Sequence, residues 1–333
     1  MKAIVYQKAG LPLTDPQSLY ETETTKPQPT GHDLLVKINA ISVNPVDTKV
    51  RNGGDPEQPR ILGWDASGVV EAVGDSVTLF APGDEVFYAG SLIRPGTYAE
   101  YHLVDERITG RKPASLNNAE AAALPLTSLT AWELLFDRLQ VGDGQGKSLL
   151  IVGAGGGVGS IMTQLAASLT GLTVIGTASR EETSEWVKSL GAHHVIDHRQ
   201  PMKQQLLAAG IESVDYIASL THTDLHYPQL ADIVAPQGRI GLIDDPETLD
   251  ALPLKRKAVS LHWELMFTRS LYTTPDIQRQ HEILNEVARL VDAGTLKTTL
   301  GEHYGKISAE NLRKAHQLIE SGRARGKIVL EGF

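Results

Sequence analysis

The sequence contains no cysteine among its 333 residues. This absence excludes disulfide bonds, thiol nucleophiles and every zinc site that depends on cysteine ligands. No apolar run approaches the roughly 18 to 20 residues that a membrane-spanning helix requires. The N-terminal residues 1–6 are typical of a strand and lack the features of a signal peptide. We therefore expect a cytoplasmic protein with no membrane partner.

Positive charge is also scarce, since 31 Lys and Arg residues are outnumbered by 40 Asp and Glu residues. The resulting net charge of −9 favours solubility and argues against a nucleic-acid partner. A hydrophobic fraction of 41% and a charged fraction of 21% are typical of a globular protein. A chain of this length exceeds one ordinary core, so the composition predicts two domains.

The pattern of the chain changes between its first third and its middle. Short β-type runs at 34–38, 66–73 and 84–88 are separated by Gly-Asp and Pro-Gly turns, which predicts a small antiparallel barrel. From Ser148 onward, strand and helix patterns alternate, which predicts a parallel sheet with helices on both faces. The candidate strands of that sheet are 148–152, 173–177, 194–196, 214–218 and 238–243.

The last part of the chain, after residue 275, is too short to build a core of its own. It contains helical patterns at 277–293 and 309–321, with Lys306-Ile307 between them, and ends in a strand at 327–330. We expect this tail to return to the first domain.

A glycine-rich loop follows the apolar run Ser148–Val152 directly and precedes a helical pattern. Gly153 permits a tight turn, the central glycines let a pyrophosphate approach the backbone, and Gly159 lets the helix pack on the strand. A glycine loop in this strand-to-helix context predicts dinucleotide binding rather than a merely flexible turn. The predicted contact residues of the loop are Gly153, Gly155, Gly156, Gly157, Val158 and Gly159.

The end of the second strand of this sheet distinguishes between the two nicotinamide cofactors. NAD-preferring sites place an acid there to accept hydrogen bonds from the ribose 2′-hydroxyl. This chain has Thr177, Ala178, Ser179 and Arg180, and an arginine and a serine can donate to a 2′-phosphate. A solvent-facing Arg180 is the alternative, but the pattern favours NADPH. Ile243, at the end of a later strand, is a further candidate contact.

With these residues in view, the chain resembles the medium-chain dehydrogenase/reductase superfamily, and most closely its quinone oxidoreductase and zinc-type alcohol dehydrogenase-like members. The resemblance spans almost the whole length. The matching segments, in order, are Asn44-Pro45-Val46-Asp47, Gly63–Val70, Pro82–Val86, Gly96–Tyr101, Pro125–Trp132, the glycine loop and Gly326–Leu330.

The resemblance implies a GroES-like β-barrel catalytic domain and a Rossmann domain with a doubly wound parallel sheet. The catalytic domain is expected at 1–125 and 275–333, the NADP-binding domain at 126–274, and the active site in the cleft of the two. It also implies a homodimer. Zinc-containing members carry a cysteine near Asn44 and a His-Glu pair where this chain has Trp64-Asp65. An indole cannot ligate zinc, so we expect no metal.

Reduction of a quinone or an α,β-unsaturated carbonyl requires a bound hydride donor, an oriented acceptor and one proton. By resemblance, Asn44 lies near the nicotinamide and is expected to donate to the substrate or the cofactor. Asp47 is a candidate catalytic group, with helix capping as the alternative. Lys49 and Arg51 are candidates for balancing an enolate charge, with exposed surface charge as the alternative.

Two further residues are candidates for the cofactor site. Thr127, at the start of the helix leading to the second domain, could bond to the cofactor or simply begin that helix. His198 lies where relatives often place an aromatic residue beside the adenosine phosphate. We therefore expect an NADPH-dependent, zinc-independent reductase. The alternatives are a zinc-type alcohol dehydrogenase acting on alcohols or aldehydes, and an NADPH-binding regulatory protein with little or no turnover.

Overall fold

The structure is a computed structural model that describes all residues from 1 to 333, and it divides into two compact units. Unit 1 comprises Met1–Leu129 and Phe267–Phe333, and unit 2 is the continuous segment Thr130–Met266. These divisions lie four and eight residues from the expected ones at 125/126 and 274/275. The Leu126 N–H donates to Asp65 over 2.7 Å, and the Phe267 ring packs edge-on against Trp64, so both segments are held in unit 1.

The first segment of the chain is built mainly of strands. Its elements are β1 (Lys2–Tyr6), β2 (Tyr20–Glu23), β3 (Asp33–Val43), α1 (Pro45–Gly53), β4 (Arg60–Ile61), β5 (Asp65–Val73), β6 (Glu85–Tyr88), β7 (Tyr101–Asp105), β8 (Thr109–Arg111), α2 (Asn118–Ala122) and α3 (Pro125–Trp132). Strands β3, β5 and β6 coincide with the three predicted β-type runs.

Unit 2 alternates strands and helices. Its elements are β9 (Ser148–Val152), α4 (Gly157–Leu169), β10 (Thr173–Thr177), α5 (Glu181–Ser189), β11 (His194–Ile196), α6 (Met202–Ala208), β12 (Val214–Ser219), α7 (Thr223–Ile233), β13 (Val234–Leu242) and β14 (Ser260–Trp263). The tail adds α8 (Thr268–Tyr272), α9 (Arg279–Asp292), β15 (Leu300–His303), α10 (Ala309–Glu320) and β16 (Lys327–Glu331). No helix is both long enough and apolar enough to cross a membrane.

The six strands of unit 2 form one parallel sheet in the order β11-β10-β9-β12-β13-β14. This order runs outward in both directions from β9, the strand before the glycine loop, as in a doubly wound dinucleotide-binding sheet. Leu150, Val152, Ile175 and Ile217 belong to its buried core, which explains why these strands read as apolar runs. The predicted Rossmann-type sheet is confirmed.

The main sheet of unit 1 has the order β15-β16-β3-β5-β6-β8, with β7 also pairing with β3. Strand β16 runs antiparallel to β3, so Ile328 lies opposite Val43 and Leu330 opposite Ile41. A second sheet joins β2, β1 and β4. The pairing of β16 with β3 brings the end of the chain beside the residues that begin α1.

Several strands were not predicted, namely the short strands β2, β4, β7 and β8 of the first segment and the edge strands β14 and β15. Strand β15 (Leu300–His303) lies just before the segment Lys306-Ile307 that separates the last two helices. Both β14 and β15 are edge strands without a single fully buried residue. An edge strand need not bury an apolar face, so its sequence carries little of the alternation that reveals a strand.

Candidate functional site

The glycine loop of unit 2 connects β9 to α4 by a turn that requires glycine. Gly153 has a φ of +85°, and its N–H donates to Thr177 Oγ1 over 3.0 Å. A Cβ atom at Gly159 would lie 2.4 Å from the Gly153 carbonyl oxygen, so the helix packs this closely only because residue 159 is glycine. Gly156, Gly157 and Val158 are partly exposed at the helix start. The loop is thus shaped for an approaching ligand.

The start of α4 also has the electrostatic character that an anion requires. The first N–H groups of a helix have no partner within it, and the helix dipole places partial positive charge there. Gly156 precedes the 13-residue helix without a side-chain cap, and its first turn contains no acidic residue. These N–H groups can therefore receive a pyrophosphate. Gly155 lies against Thr183, where a Cβ atom would be 2.2 Å from Cγ2 of that residue.

Two arginines lie near the residues that follow β10. Arg180 is exposed, and its guanidinium is 3.4 Å from Glu182. Arg199, which the sequence reasoning missed, donates to the Ser179 carbonyl over 2.6 Å and to the carboxylate of Asp197. Thr177 is 2% exposed and accepts the hydrogen bond from Gly153, so its hydroxyl positions the loop.

The remaining predicted cofactor residues differ in exposure. His198 is half-buried after β11, and its ring meets that of His226 with centroids 5.5 Å apart. Burial lowers the pKa of His198 below its ordinary value. Ile243 is partly exposed just after β13. Thr127 is buried in unit 1, where its hydroxyl donates to the Leu124 carbonyl over 3.2 Å and so supports the start of α3.

A buried ion pair lies at the end of β3 in unit 1. The carboxylate of Asp65 is fully buried and accepts from Lys327 Nζ over 3.0 Å. It also accepts from Ser42 Oγ over 2.7 Å and, through its other oxygen, from the Leu126 N–H. The side chain of Lys327 is 3% exposed. Sequence reasoning assigned no role to Lys327 and treated Asp65 only as a departure from a metal-binding pair.

Asn44 joins this ion pair to helix α1. Its Nδ2 donates to Asp65 over 2.8 Å, and its Oδ1 accepts from Lys327. The backbone N–H of Asn44 donates to the Asp47 carboxylate over 2.7 Å. Asp47 therefore caps helix α1, which is one of the two roles expected for it. Asn44 and Asp47 are both buried. The two predicted catalytic candidates are thus in direct contact.

Asp47 continues into a chain of hydrogen bonds that ends on α10. Tyr98 donates from its hydroxyl to Asp47 Oδ2 over 3.0 Å, and the same hydroxyl lies 3.1 Å from Nε2 of His316. Burial raises the pKa of Asp47 to about 7, against the lowering effect of its hydrogen bonds. Burial lowers the pKa of His316 to about 3. Asp47 Oδ1 and His316 Nδ1 have no hydrogen-bond partner.

The two cationic candidates on α1 face different surroundings. Lys49 is exposed. Arg51 is only 2% exposed and donates to Glu320 over 2.8 Å and to the Leu11 carbonyl over 2.8 Å. The interpretation of Arg51 as an exposed charge was therefore wrong, because the last turn of α1 packs against α10. The sequence pattern of α1 alone does not reveal that neighbour.

Tyr98 and His316 were also missed as members of this cluster. Tyr98 is fully buried, and its hydroxyl bridges two titratable groups. A polar tip on a buried tyrosine is the only sequence signal that could have suggested this. His316 is separated from Tyr98 by 218 positions in the sequence, so only the fold brings them together.

No set of three or more His, Cys, Asp or Glu side chains lies close enough together to hold a metal ion. At the position where a metal-binding pair would stand, Trp64 is fully buried and donates from its indole N–H to the Ser91 carbonyl over 3.0 Å.

Comparison with known proteins agrees with this geometry. Residues 30–114 match the family model of the alcohol dehydrogenase GroES-like domain, and residues 190–330 match that of the zinc-binding dehydrogenases. A zinc-type alcohol dehydrogenase-like protein of Staphylococcus aureus (strain MSSA476) is 44% identical over 92% of this chain and 93% of its own. The human quinone oxidoreductase is 30% identical over 91% of this chain and 90% of its own.

A solved structure extends the agreement to the whole fold. A Rhizobium etli CFN 42 protein that carries the name zinc-dependent alcohol dehydrogenase matches with a TM-score of 0.97 and 59% identity, over 100% of this chain and 98% of that one. The GroES-like domain and the parallel Rossmann sheet are therefore both present. The chain belongs to the medium-chain dehydrogenase/reductase superfamily, among the zinc-type alcohol dehydrogenase-like proteins and quinone oxidoreductases, and is an oxidoreductase of that family.

Proposed function

We propose that the chain is an NADPH-dependent reductase that transfers a hydride to a quinone or an α,β-unsaturated carbonyl compound without zinc. The observation that carries this proposal is the buried ammonium of Lys327. It contacts Asp65 and Asn44 in the segment where zinc-containing members of the family are expected to bind their metal.

The residues present do not fit a zinc ion. Both oxygens of Asp65 already accept hydrogen bonds, from Lys327, Asn44, Ser42 and the Leu126 N–H. A divalent cation beside Asp65 would face the ammonium of Lys327 in a buried setting, where like charges repel strongly. Trp64 offers no metal ligand, and the chain has no cysteine. These side chains therefore favour a reaction that needs no metal.

The residues of unit 2 do fit a dinucleotide, and several of them support NADPH. No acid stands at the end of β10, where an NAD-preferring site would place one. Arg180 and Arg199 both lie beside Ser179, and each can donate charge-assisted hydrogen bonds to a 2′-phosphate. The ion pair of Arg180 with Glu182 is solvent-exposed and therefore weak, so a phosphate can compete for the guanidinium.

Asn44 and Asp47 supply the polar groups that the reduction needs. NADPH, when bound, supplies the hydride. One hydrogen of Asn44 Nδ2 bonds to Asp65, and the other has no partner within the protein, so it is available to an acceptor oxygen. Asp47 has a pKa raised to about 7, which suits a proton donor working near neutral pH. The hydroxyl of Tyr98 keeps the Asp47 carboxyl oriented.

The test is oxidation of NADPH and of NADH by a panel of quinones, enones, simple aldehydes and ketones, with added zinc and with a chelator. We expect turnover of quinones or enones that prefers NADPH and does not change with zinc or chelator. Zinc-dependent reduction of simple aldehydes would refute the metal argument, and a preference for NADH would refute the cofactor argument. Tight NADPH binding without turnover of any compound would indicate the regulatory alternative.

We also propose that the protein forms a homodimer through unit 2. Strand β14 is the edge of the parallel sheet, and Trp263 at its end is 55% exposed. Leu265 just beyond it is 50% exposed. A half-exposed tryptophan on an unpaired strand edge is typical of an interface. Light scattering should give the mass of a dimer for the native chain and of a monomer for Trp263→Lys, whereas Leu207→Lys on α6 should remain dimeric.

A further inference from the structure

The ammonium of Lys327 has all three of its hydrogens bound to acceptors. They are the Val43 carbonyl at 3.2 Å, Asp65 Oδ2 at 3.0 Å and Asn44 Oδ1. An amine held by three acceptors in a buried site has one fixed position, because any rotation would leave a hydrogen unpaired. The site therefore contains a rigid cation rather than a mobile lysine tail.

The topology of unit 1 places this cation. Strand β16 is registered on β3 with Ile328 opposite Val43, so the preceding Lys327 lies beside the residue that follows β3, which is Asn44. Asp65 begins β5 and lies opposite Ser42 of β3. Three positions far apart in the sequence thus meet at one end of β3. No local sequence pattern brings them together.

The surroundings of Asn44 determine which way its amide points. The oxygen and nitrogen ends of an amide are nearly equal in shape, so hydrogen-bond partners decide the orientation. Lys327 can only donate, so it selects Oδ1. The carboxylate of Asp65 can only accept, so it selects Nδ2. With these two partners, the amide has one satisfied orientation, and the second Nδ2 hydrogen is directed elsewhere.

We propose that Lys327 is a positioning residue for the reduction: it fixes the Asn44 amide so that the free Nδ2 hydrogen donates to the oxygen of the bound carbonyl compound. This inference rests on the proposed function, because that oxygen belongs to the proposed substrate. The bond from the ammonium to Oδ1 also polarises the amide, which makes the Nδ2 hydrogen a stronger donor. Lys327 touches Asn44 and not the substrate, so it acts through Asn44.

A purely structural role for Lys327 predicts a different result from a positioning role, and a double-mutant cycle distinguishes the two roles. Lys327→Met combined with Asp65→Asn removes both charges together, which avoids leaving one buried charge unpaired. Asp65→Asn alone, which keeps the ammonium, shows how much of any loss belongs to Lys327; a loss as large in Asp65→Asn alone as in the pair overturns the role of Lys327. The pair is introduced into the native chain and into Asn44→Leu, with Lys306→Met on the surface as the control. The readouts are kcat and KM for NADPH and 1,4-benzoquinone, and the isotope effect with deuterated NADPH.

If Lys327 acts through Asn44, the pair lowers kcat about tenfold in the native chain, with little change in the KM for NADPH, and has no further effect in Asn44→Leu. Lys306→Met leaves kcat unchanged. An equal loss in both backgrounds, or no loss in the native chain, overturns the proposal.

A spectroscopic measurement does not depend on turnover. The side-chain amide resonances of Asn44 are assigned by their disappearance in Asn44→Leu and then compared between the native chain and the charge-removed pair. A fixed amide predicts that the pair shifts these resonances and accelerates their hydrogen exchange. If the native chain reduces no quinone or enone, the proposed function fails, and these resonances then decide only whether Lys327 fixes the Asn44 amide. Unchanged resonances and exchange in the pair overturn it.

Discussion

Replacing Asp47 by asparagine is expected to remove one contribution to the pH dependence of stability. Asp47 is fully buried, and its pKa is raised from an ordinary 3.8 to about 7. Between these values the folded protein holds a proton that the unfolded chain releases. The stability contributed by this proton is present at acidic pH and is lost as the pH rises towards about 7. Asparagine accepts the same two hydrogen bonds without titrating.

The magnitude follows from the width of that interval. Each pH unit inside it changes the free energy of unfolding by about 1.4 kcal/mol, so the whole interval is worth about 4 kcal/mol. The free energy of unfolding of Asp47→Asn, measured relative to that of the native protein, should therefore be about 4 kcal/mol lower near pH 4 than near pH 8. The direction is opposite to that of an ordinary salt-bridged aspartate, whose stabilisation is lost on acidification.

Two buried histidines act in the other direction. Burial lowers the pKa of His316 to about 3 and that of His102 to about 4. Both histidines remain neutral in the folded protein, whereas the unfolded chain takes up protons below the ordinary histidine pKa of 6.5. The protein therefore becomes less stable as the pH falls below this value. In the native chain, the pH dependence contributed by Asp47 offsets that of one of these histidines. Asp47→Asn should therefore be more sensitive to acid than the native protein.

The assay is urea unfolding followed by circular dichroism at constant ionic strength, from about pH 4 to about pH 8. Glu57→Gln, which changes an exposed carboxylate, is the control and should run parallel to the native chain. A difference between native and Asp47→Asn that does not vary with pH would refute the argument that Asp47 is protonated through burial.

Three further outcomes are expected. Gly159→Ala should abolish NADPH binding, measured by cofactor fluorescence, because its Cβ would lie 2.4 Å from the Gly153 carbonyl oxygen, whereas Gly53→Ala has open space and should bind normally. Arg199→Ala should reduce the preference for NADPH over NADH by about ten- to a hundred-fold in kcat/KM; an unchanged ratio would remove Arg199 from the 2′-phosphate site. Glu182→Gln removes the ion pair with Arg180 and should lower the KM for NADPH but not for NADH; equal changes for both cofactors would contradict this.

Local patterns in the sequence were sufficient to predict several parts of this protein. The strands Ser148–Val152, Thr173–Thr177 and His194–Ile196 have the predicted bounds, since buried parallel strands read as short apolar runs between helices. The glycine loop was recognisable because a tight turn before a helix requires glycine at particular spacings. The segment Asn44-Pro45-Val46-Asp47 was identified as a site because it matched a family motif in order and position.

Which polar groups meet depends on the way the chain folds. Lys327 pairs with Asp65 across 262 positions, and Tyr98 reaches His316 across 218. Burial in these contacts sets the raised pKa of Asp47 and the lowered pKa of His316, and burial cannot be read from residue types alone. Edge strands such as β14 escaped prediction for a related reason, because a strand that buries no face leaves no apolar alternation. Local sequence patterns predicted the strands of unit 2 before β14, whereas the pairing of strands in unit 1 brought the residues of the site together.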